Sequence, residues 1–433
     1  MPSALNTGKL SIAIILLLIA FVFFLEKTYV GQSLKRLVKR VFSGGIYYLL
    51  WLFPRDKKLI VFTADEGQAF ADNPKYLFYE FRKHPELRCV WLTKNAAVYK
   101  SLKEQGIEVY MHSSAKGRWM QLRAGYLIHT NSLKEEFNYL IAGGATSINC
   151  WHGVGLKRVW YRNKNAFSGQ WMAAPPSFKR TYHLWWAGLN SARKNYVIST
   201  SEEVSAYYPE TYNVPPEQVL NLGQARNDVF FDDSLEEGEL PECFKNGKVI
   251  LYMPTYREYN VRSGPTENIG SSIDYEKLSG ILEKYGYTFA VKQHRYNTSE
   301  GESLQFKNIV DITALNYSLD SQLLLKYTDI LVTDYSSCYT DYLLLDRPVV
   351  FYCYDLDEYL EKWDLNFDYD YVTPGPKAFT SDELIDALEK LMQGQDAYEA
   401  ERQRVKRVFY SPENQGPVAQ KQMDYILKNI IGG

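Results

Sequence analysis

The chain has 433 residues, 46% of them hydrophobic and 23% charged, a composition that excludes disorder and a length that suits two cores better than one. A formal net charge of -2 leaves no global basic field for nucleic acid. The five cysteines (Cys89, Cys150, Cys243, Cys338 and Cys353) are scattered without a C-x-x-C pair, which argues against a disulfide framework or a zinc site and for a reducing cytoplasm.

The first predicted element is an anchor. Leu10 to Leu25 is uncharged and rich in Leu, Ile, Ala and Phe. As a helix it spans ~24 Å, short against a hydrocarbon core of about 30 Å, but Lys9 and Lys27 can snorkel at its ends. No small-x-small cleavage site follows Leu25, so an uncleaved anchor is expected rather than a signal peptide. Lys9 on one side faces Lys27, Lys35, Arg36, Lys39 and Arg40 on the other, and the positive-inside rule then puts the rest of the chain on the cytoplasmic face. In Ser33 to Phe42, Leu34, Leu37, Val38 and Val41 share one helical face opposite the charges. Such a helix lies in a headgroup layer and attracts anionic lipid. The aromatic run Ile46 to Phe53 reads as interfacial or as packed on the body.

From Lys57 onward short apolar runs alternate with amphipathic stretches. Strands are predicted at 59–62, 89–92, 126–128, 146–150 and 196–198, with helices at 74–83, 95–104 and 202–208. The acidic stretch Asp232 to Asn246 reads as a linker. The pattern restarts with strands at 249–252, 289–291, 309–310, 330–332 and 349–351. The expected architecture is α/β: residues 1–56 as anchor and interfacial segment, 57–235 as one Rossmann-like domain, and 236–433 as a second with C-terminal helices, the two facing a cleft.

Four strand ends carry chemistry. Trp151-His152-Gly153-Val154-Gly155-Leu156-Lys157 places an imidazole, two glycines and a lysine where a base can work near phosphate. His129 and His183 also lie in the first half, outside any glycine-flanked motif. In the second half, Met253-Pro254-Thr255-Tyr256-Arg257-Glu258 and Lys292-Gln293-His294-Arg295 put cations at strand ends, where a guanidinium grips phosphate through two bonds. Thr333-Asp334-Tyr335-Ser336-Ser337 ends a strand and starts a helix, a place where serine hydroxyls and backbone N–H groups can hold phosphate.

Taken in order, Asp72-Asn73-Pro74-Lys75-Tyr76, the Trp-His-Gly segment, Arg226-Asn227-Asp228, Pro254-Thr255-Tyr256-Arg257, Asp334-Tyr335-Ser336-Ser337, Pro348-Val349-Val350-Phe351-Tyr352 and Tyr354-Asp355 resemble the CDP-glycerol glycerophosphotransferase family of teichoic acid synthesis, over roughly residues 57 to 425. The resemblance implies a GT-B-like fold, CDP-glycerol as donor, CMP as leaving product, a lipid-linked (polyprenyl diphosphate glycan) acceptor at the membrane, and neither cofactor nor metal. It implies His152 as general base and His294 beside the donor phosphates. Arg257, Ser336 and Ser337 then hold the pyrophosphate, with Thr255, Asp334 and Lys292 on the same donor side. Asn73, Gly153 and Lys157 fall on the acceptor side. The chain departs from the family at Val154-Gly155, Arg295 and Ala225, which leaves the acceptor and the polyol open, CDP-ribitol included. Other readings are a GT-B enzyme using a nucleotide sugar, a membrane-tethered binding module, and a metal-dependent GT-A enzyme using Asp355-Leu356-Asp357 or Asp368-Tyr369-Asp370.

Overall fold

Residues 28–189, 191–236, 238, 240–255, 273–293, 306–313 and 320–432 are described by the computed structural model. The expected anchor from Leu10 to Leu25, Arg257 and His294 lie outside them. Two all-parallel sheets organise the chain. The first holds β1 (Asp56–Phe62), β2 (Arg88–Thr93), β3 (Val109–Met111), β4 (Ala124–His129), β5 (Thr146–Asn149), β6 (Lys194–Ser199) and β7 (Val219–Asn221) in the order β3-β2-β1-β4-β5-β6-β7. The second holds β8 (Lys248–Tyr252), β9 (Tyr287–Val291), β10 (Ile309–Asp311), β11 (Ile330–Thr333), β12 (Val349–Tyr352) and β13 (Lys377–Ala378) in the order β10-β9-β8-β11-β12-β13. Central strands such as Leu59 to Phe62 are buried on both faces, which is why their sequences run apolar without alternation.

In each sheet the order reverses between the first and fourth strands, β1 and β4 or β8 and β11. Ligands of open α/β sheets sit in the crevice at such a point, at the strand C-termini. Three strands that no apolar run announced, β3, β7 and β13, are all edge strands of two or three residues.

Several contacts join the domains beside the crevice. The loop after β5 forms an antiparallel bridge between Lys157 and Leu365, with Asn366 N donating to the Leu156 carbonyl at 2.8 Å and Arg158 N to that of Asp364 at 2.9 Å. The stretch after the second sheet then returns to the first domain. Ser411 N bonds the Thr200 carbonyl at 2.9 Å, Gln422 Nε2 bonds Leu222 and Gly223 carbonyls at 3.1 and 3.0 Å, and Val418 and Ala419 N–H groups both reach the Asp228 carboxylate at 2.8 Å.

The expected surface helix and the aromatic run after it form one helix, Tyr29–Leu50, capped by Thr28, whose hydroxyl accepts from Gly31 N at 2.9 Å. It docks through Gly44, where an added Cβ would stand 2.5 Å from the Trp185 ring, and through Tyr47, whose hydroxyl donates to the Ser191 carbonyl. Leu34, Leu37, Val38 and Val41 face outward, 41 to 59% exposed. No helix among the described residues is long and apolar enough to cross a membrane.

Candidate active site

The crevice between the domains holds two cavities that share His152, Ser336 and Ser337 in their walls. One, of about 310 Å³, is lined mainly by the loop after β5, by Tyr207, Tyr208 and Thr211, and by Thr255. The other, of about 330 Å³, is charged: Arg226 and Lys292 face Asp65, Asp72, Asp320 and Asp341. The strand-end motifs predicted from opposite halves of the chain therefore meet across one gap.

His152 follows Trp151, whose backbone is in the left-handed region at φ 53°. That turn is bracketed from beneath. Asn149 Oδ1 accepts from Trp151 N at 2.8 Å, and Asn73 Nδ2 donates to the Trp151 carbonyl at 2.9 Å. Asn73 is 1% exposed and also donates to Gln224 at 2.6 Å and accepts from Arg226 N at 3.0 Å. Its amide is a bracket for the histidine loop, which corrects the expectation that it faces the acceptor. Gly153 has φ 113° and is approached so closely that an added Cβ would lie 2.4 Å from the Arg226 guanidinium and 3.2 Å from Ser337 Oγ. Only glycine fits both demands.

The His152 ring keeps an open face to the cleft but has protein on its other sides, its ring centroid 4.0 Å from that of Trp151. This enclosure, and next the Arg226 charge, push its pKa down to about 4, against a weaker backbone hydrogen bond at Thr130. A ring N–H donated to a carbonyl leaves the other nitrogen as a proton acceptor. This shift favours the neutral form of the imidazole. If it is the base, the acid limb of kcat/KM should fall well below the ordinary value of 6.5. Anionic donor nearby should raise the limb seen in kcat. A pH–rate profile checks both, and an acid limb at 6.5 or above in kcat/KM would contradict this environment. Stability follows with opposite signs. The His152 contribution is present above its unfolded value and lost as pH falls through about 4. Asp72 and Asp228, pushed up to about 6 mainly by burial, contribute stability that is full below about 3.8 and lost as pH rises through about 6.

Across the gap, β11 ends at Thr333 as predicted, and a short helix, Cys338–Tyr342, follows Ser337. Asp334 is 1% exposed and receives the Thr255 hydroxyl at 2.6 Å, Thr255 N at 2.9 Å and Tyr335 N at 2.5 Å. It ties the turn after β8 to the turn after β11. A buried carboxylate so engaged does not face phosphate, which corrects its assignment to the donor contacts. The Thr255 hydroxyl is directed to this carboxylate, although Thr255 still lines the first cavity. Ser336, Ser337 and Lys292 line the charged cavity. Lys157 lies over the rings of Trp363 at 4.2 Å and Tyr359 at 5.1 Å, so its stem and charge are held on the second domain.

Sequence reading missed the centre of the interface. Arg226 donates to Asp72 at 3.3 Å and pairs with Asp341, and both carboxylates hold its pKa well above the ordinary value against the cost of burial. Asp341 also receives Asn227 at 3.0 Å, Gln322 at 3.0 Å and the Tyr410 hydroxyl. A lone carboxylate inside the apolar, aromatic run from Tyr339 to Leu345 was the available signal, since such a group needs a buried partner. Three of the four Asp-x-Asp carboxylates are engaged otherwise. Asp355 accepts from Tyr335 at 3.0 Å, Asp368 caps Tyr371 N at 3.0 Å, and Asp370 pairs with Lys377 at 3.2 Å. Among the described residues no cluster of three His, Cys, Asp or Glu side chains could hold a metal.

Proteins of similar sequence and fold are known. A teichoic acid poly(glycerol phosphate) polymerase of Staphylococcus epidermidis is 27% identical over 389 residues, 86% of this chain and 51% of that protein. A teichoic acid poly(ribitol-phosphate) polymerase of Bacillus spizizenii is 26% identical over 377 residues, 83% of this chain and 56% of that one. The chain thus spans about half the length of these curated relatives. A solved structure of the wall teichoic acid polymerase TagF superposes with a TM-score of 0.70 over 93% of this chain and 98% of that one, at 23% identity, and so shares the fold. The sequence profile of the CDP-Glycerol:Poly(glycerophosphate) glycerophosphotransferases matches residues 46–428. The chain belongs to that family of transferases.

Proposed function

We propose that this enzyme transfers glycerol phosphate from CDP-glycerol to a hydroxyl of a lipid-linked acceptor, with release of CMP. The observation that supports it most is the placement of His152, from the first domain, in the same cavity walls as Ser336 and Ser337 from the second. The acceptor oxygen attacks the β-phosphorus. Its proton passes to the neutral His152 nitrogen as the new P–O bond forms. The bond from the β-phosphorus to the bridging oxygen breaks, and CMP leaves with the electron pair. Ser336, Ser337 and Lys292 face the charge that grows on the leaving phosphate. Arg257 and His294, outside the described residues, are proposed for the same pyrophosphate. Side chains rather than a metal carry this charge in the proposal.

The enzyme works at the cytoplasmic face in this reading, held by Leu10 to Leu25 and by the exposed apolar stripe of Tyr29–Leu50 beside Lys35, Arg36, Lys39 and Arg40. CDP-ribitol is the second reading, supported by nearly equal identity to glycerol- and ribitol-phosphate polymerases. Purified protein incubated with each CDP-polyol and a short-prenyl acceptor should release CMP from CDP-glycerol, undiminished in EDTA. CMP release only from CDP-ribitol would reassign the polyol, and UDP release from UDP-sugars with no CMP from either CDP-polyol would overturn the reading.

A further inference from the structure

One fully buried carboxylate stands behind the cleft. Glu136 ends the one-turn helix Leu133–Glu136 and is 0% exposed, whereas its neighbours Lys134 and Glu135 face solvent. Its Oε2 accepts from Asn131 N at 2.8 Å and from Thr130 N at 2.9 Å. Oε1 accepts from the Thr130 hydroxyl at 2.7 Å and from Glu66 N at 3.2 Å. His129 Nδ1 lies 3.2 Å from Oε2 and also meets the Asn131 carbonyl at 2.8 Å, so the proton belongs on that nitrogen. All five partners donate, which holds the group as a carboxylate.

These partners join two strand ends at the point where the strand order reverses. Glu66 follows β1 and Thr130 follows β4, its neighbour in the sheet. Asp65 and Glu66 both have left-handed backbones, at φ 50° and 57°. Such strain persists only where the surroundings over-determine it. Here the Thr130 hydroxyl holds Asp65 N at 3.1 Å and Glu136 holds Glu66 N.

The same turn reaches His152, whose ring hydrogen-bonds the Thr130 backbone. That bond favours the charged ring, so the ring donates it and the Thr130 carbonyl accepts. The carbonyl shares one peptide unit with Asn131 N–H, which donates to Glu136 Oε2. Imidazole N–H, peptide and carboxylate therefore lie in series. A carboxylate on the N–H side of a peptide polarises it and makes its carbonyl a better acceptor. Burial and Arg226 oppose a charge on the ring, and Glu136 and Asp65 favour one. We propose that Glu136 is a positioning residue for the transfer. Through the Thr130–Asn131 peptide it fixes which nitrogen of His152 carries a proton, and it stabilises the imidazolium that forms when the other nitrogen takes the acceptor's proton. Glu136 itself stays ionised throughout. The stabilising role rests on the reading of His152 as the base, and the fixing of the ring rests on the hydrogen bonds.

Glu136→Gln keeps the size of the side chain and removes its charge. With CDP-glycerol and a short-prenyl acceptor, kcat should fall by about tenfold to a hundredfold, as when other carboxylates that orient a functional imidazole are lost. The donor KM should stay within about twofold, since the donor contacts lie on the other domain. In a His152→Ala background the same substitution should change the residual rate by less than about twofold, because a group that acts through the imidazole has nothing left to act on. A merely structural loss would persist there. Magnetic resonance of isotope-labelled histidine nitrogens, with His152→Ala to assign the signal, reads the ring directly. Wild type should show one protonated nitrogen at His152, and Glu136→Gln a mixture of tautomers. Should glutamine prevent folding, Glu136→Asp, which draws the charge back from the peptide, takes its place in both measurements. Wild-type kcat in a folded variant, equal losses with and without His152, or mixed tautomers in wild type overturns the inference. Wild-type turnover in His152→Ala overturns the base reading instead, and a tautomer fixed in wild type but lost in the Glu136 variant then still upholds the positioning of the ring.

Discussion

Replacing His152 with alanine should lower the transfer rate by about 10²–10⁴, the range for losing a positioned acid–base group. The protein should still fold, because the loop is held by Asn73, Asn149 and Gln224 through backbone atoms or through each other, and the imidazole is not among those supports. CDP-glycerol should still bind, since Ser336, Ser337 and Lys292 belong to the other domain. The measurement is kcat for CMP release in the presence of acceptor, beside donor affinity by calorimetry. Wild-type turnover in a folded His152→Ala protein would show that another group takes the proton. A rate loss accompanied by an equal loss of donor affinity would instead make His152 a donor ligand.

The second large effect concerns Arg226. Arg226→Leu should cost about 3–5 kcal/mol, the range for breaking a buried ion pair from one side. The loss arises because Asp72 and Asp341 stay behind, desolvated and unpaired, more than because one attraction disappears. Arg226→Lys should not restore stability, since one ammonium cannot reproduce the planar fork that reaches Asp72 and Asp341 together. Urea unfolding with probes in each domain tests this. A wild-type midpoint in Arg226→Leu would show that the network carries little stability.

Much of the fold was legible because central parallel strands must be apolar on both faces. Leu59 to Phe62 and Ile330 to Thr333 announce themselves for that reason. Edge strands have no such obligation, and Val219–Asn221 was silent. The site was legible where function needs a marked local pattern. His152 between Trp151 and Gly153 is such a case, and Ser336-Ser337 is another. Roles were less legible than positions. Asp334 and Asn73 belong to the motifs, yet the structure turns both inward as hydrogen-bond brackets, and a linear pattern cannot tell a ligand contact from the group that holds it. Arg226–Asp341 was hidden because its partners stand 115 residues apart, in different domains.

The return of the C-terminal stretch has a consequence for synthesis. The first domain is finished only by residues that leave the ribosome after the whole of the second sheet. Until Val418 and Ala419 arrive, the Asp228 carboxylate lacks the two N–H groups that compensate its burial. At ~5–20 residues per second, the chain between β7 and those residues takes on the order of ten to forty seconds to emerge. During that interval the nascent first domain carries an unsatisfied acidic group and an uncovered apolar face, the surface later closed by Met423 and Ile426. A nascent chain stalled before residue 399 is therefore a natural client for a chaperone, because both domains still lack contacts that Arg402, Tyr410, Val418 and Ala419 supply.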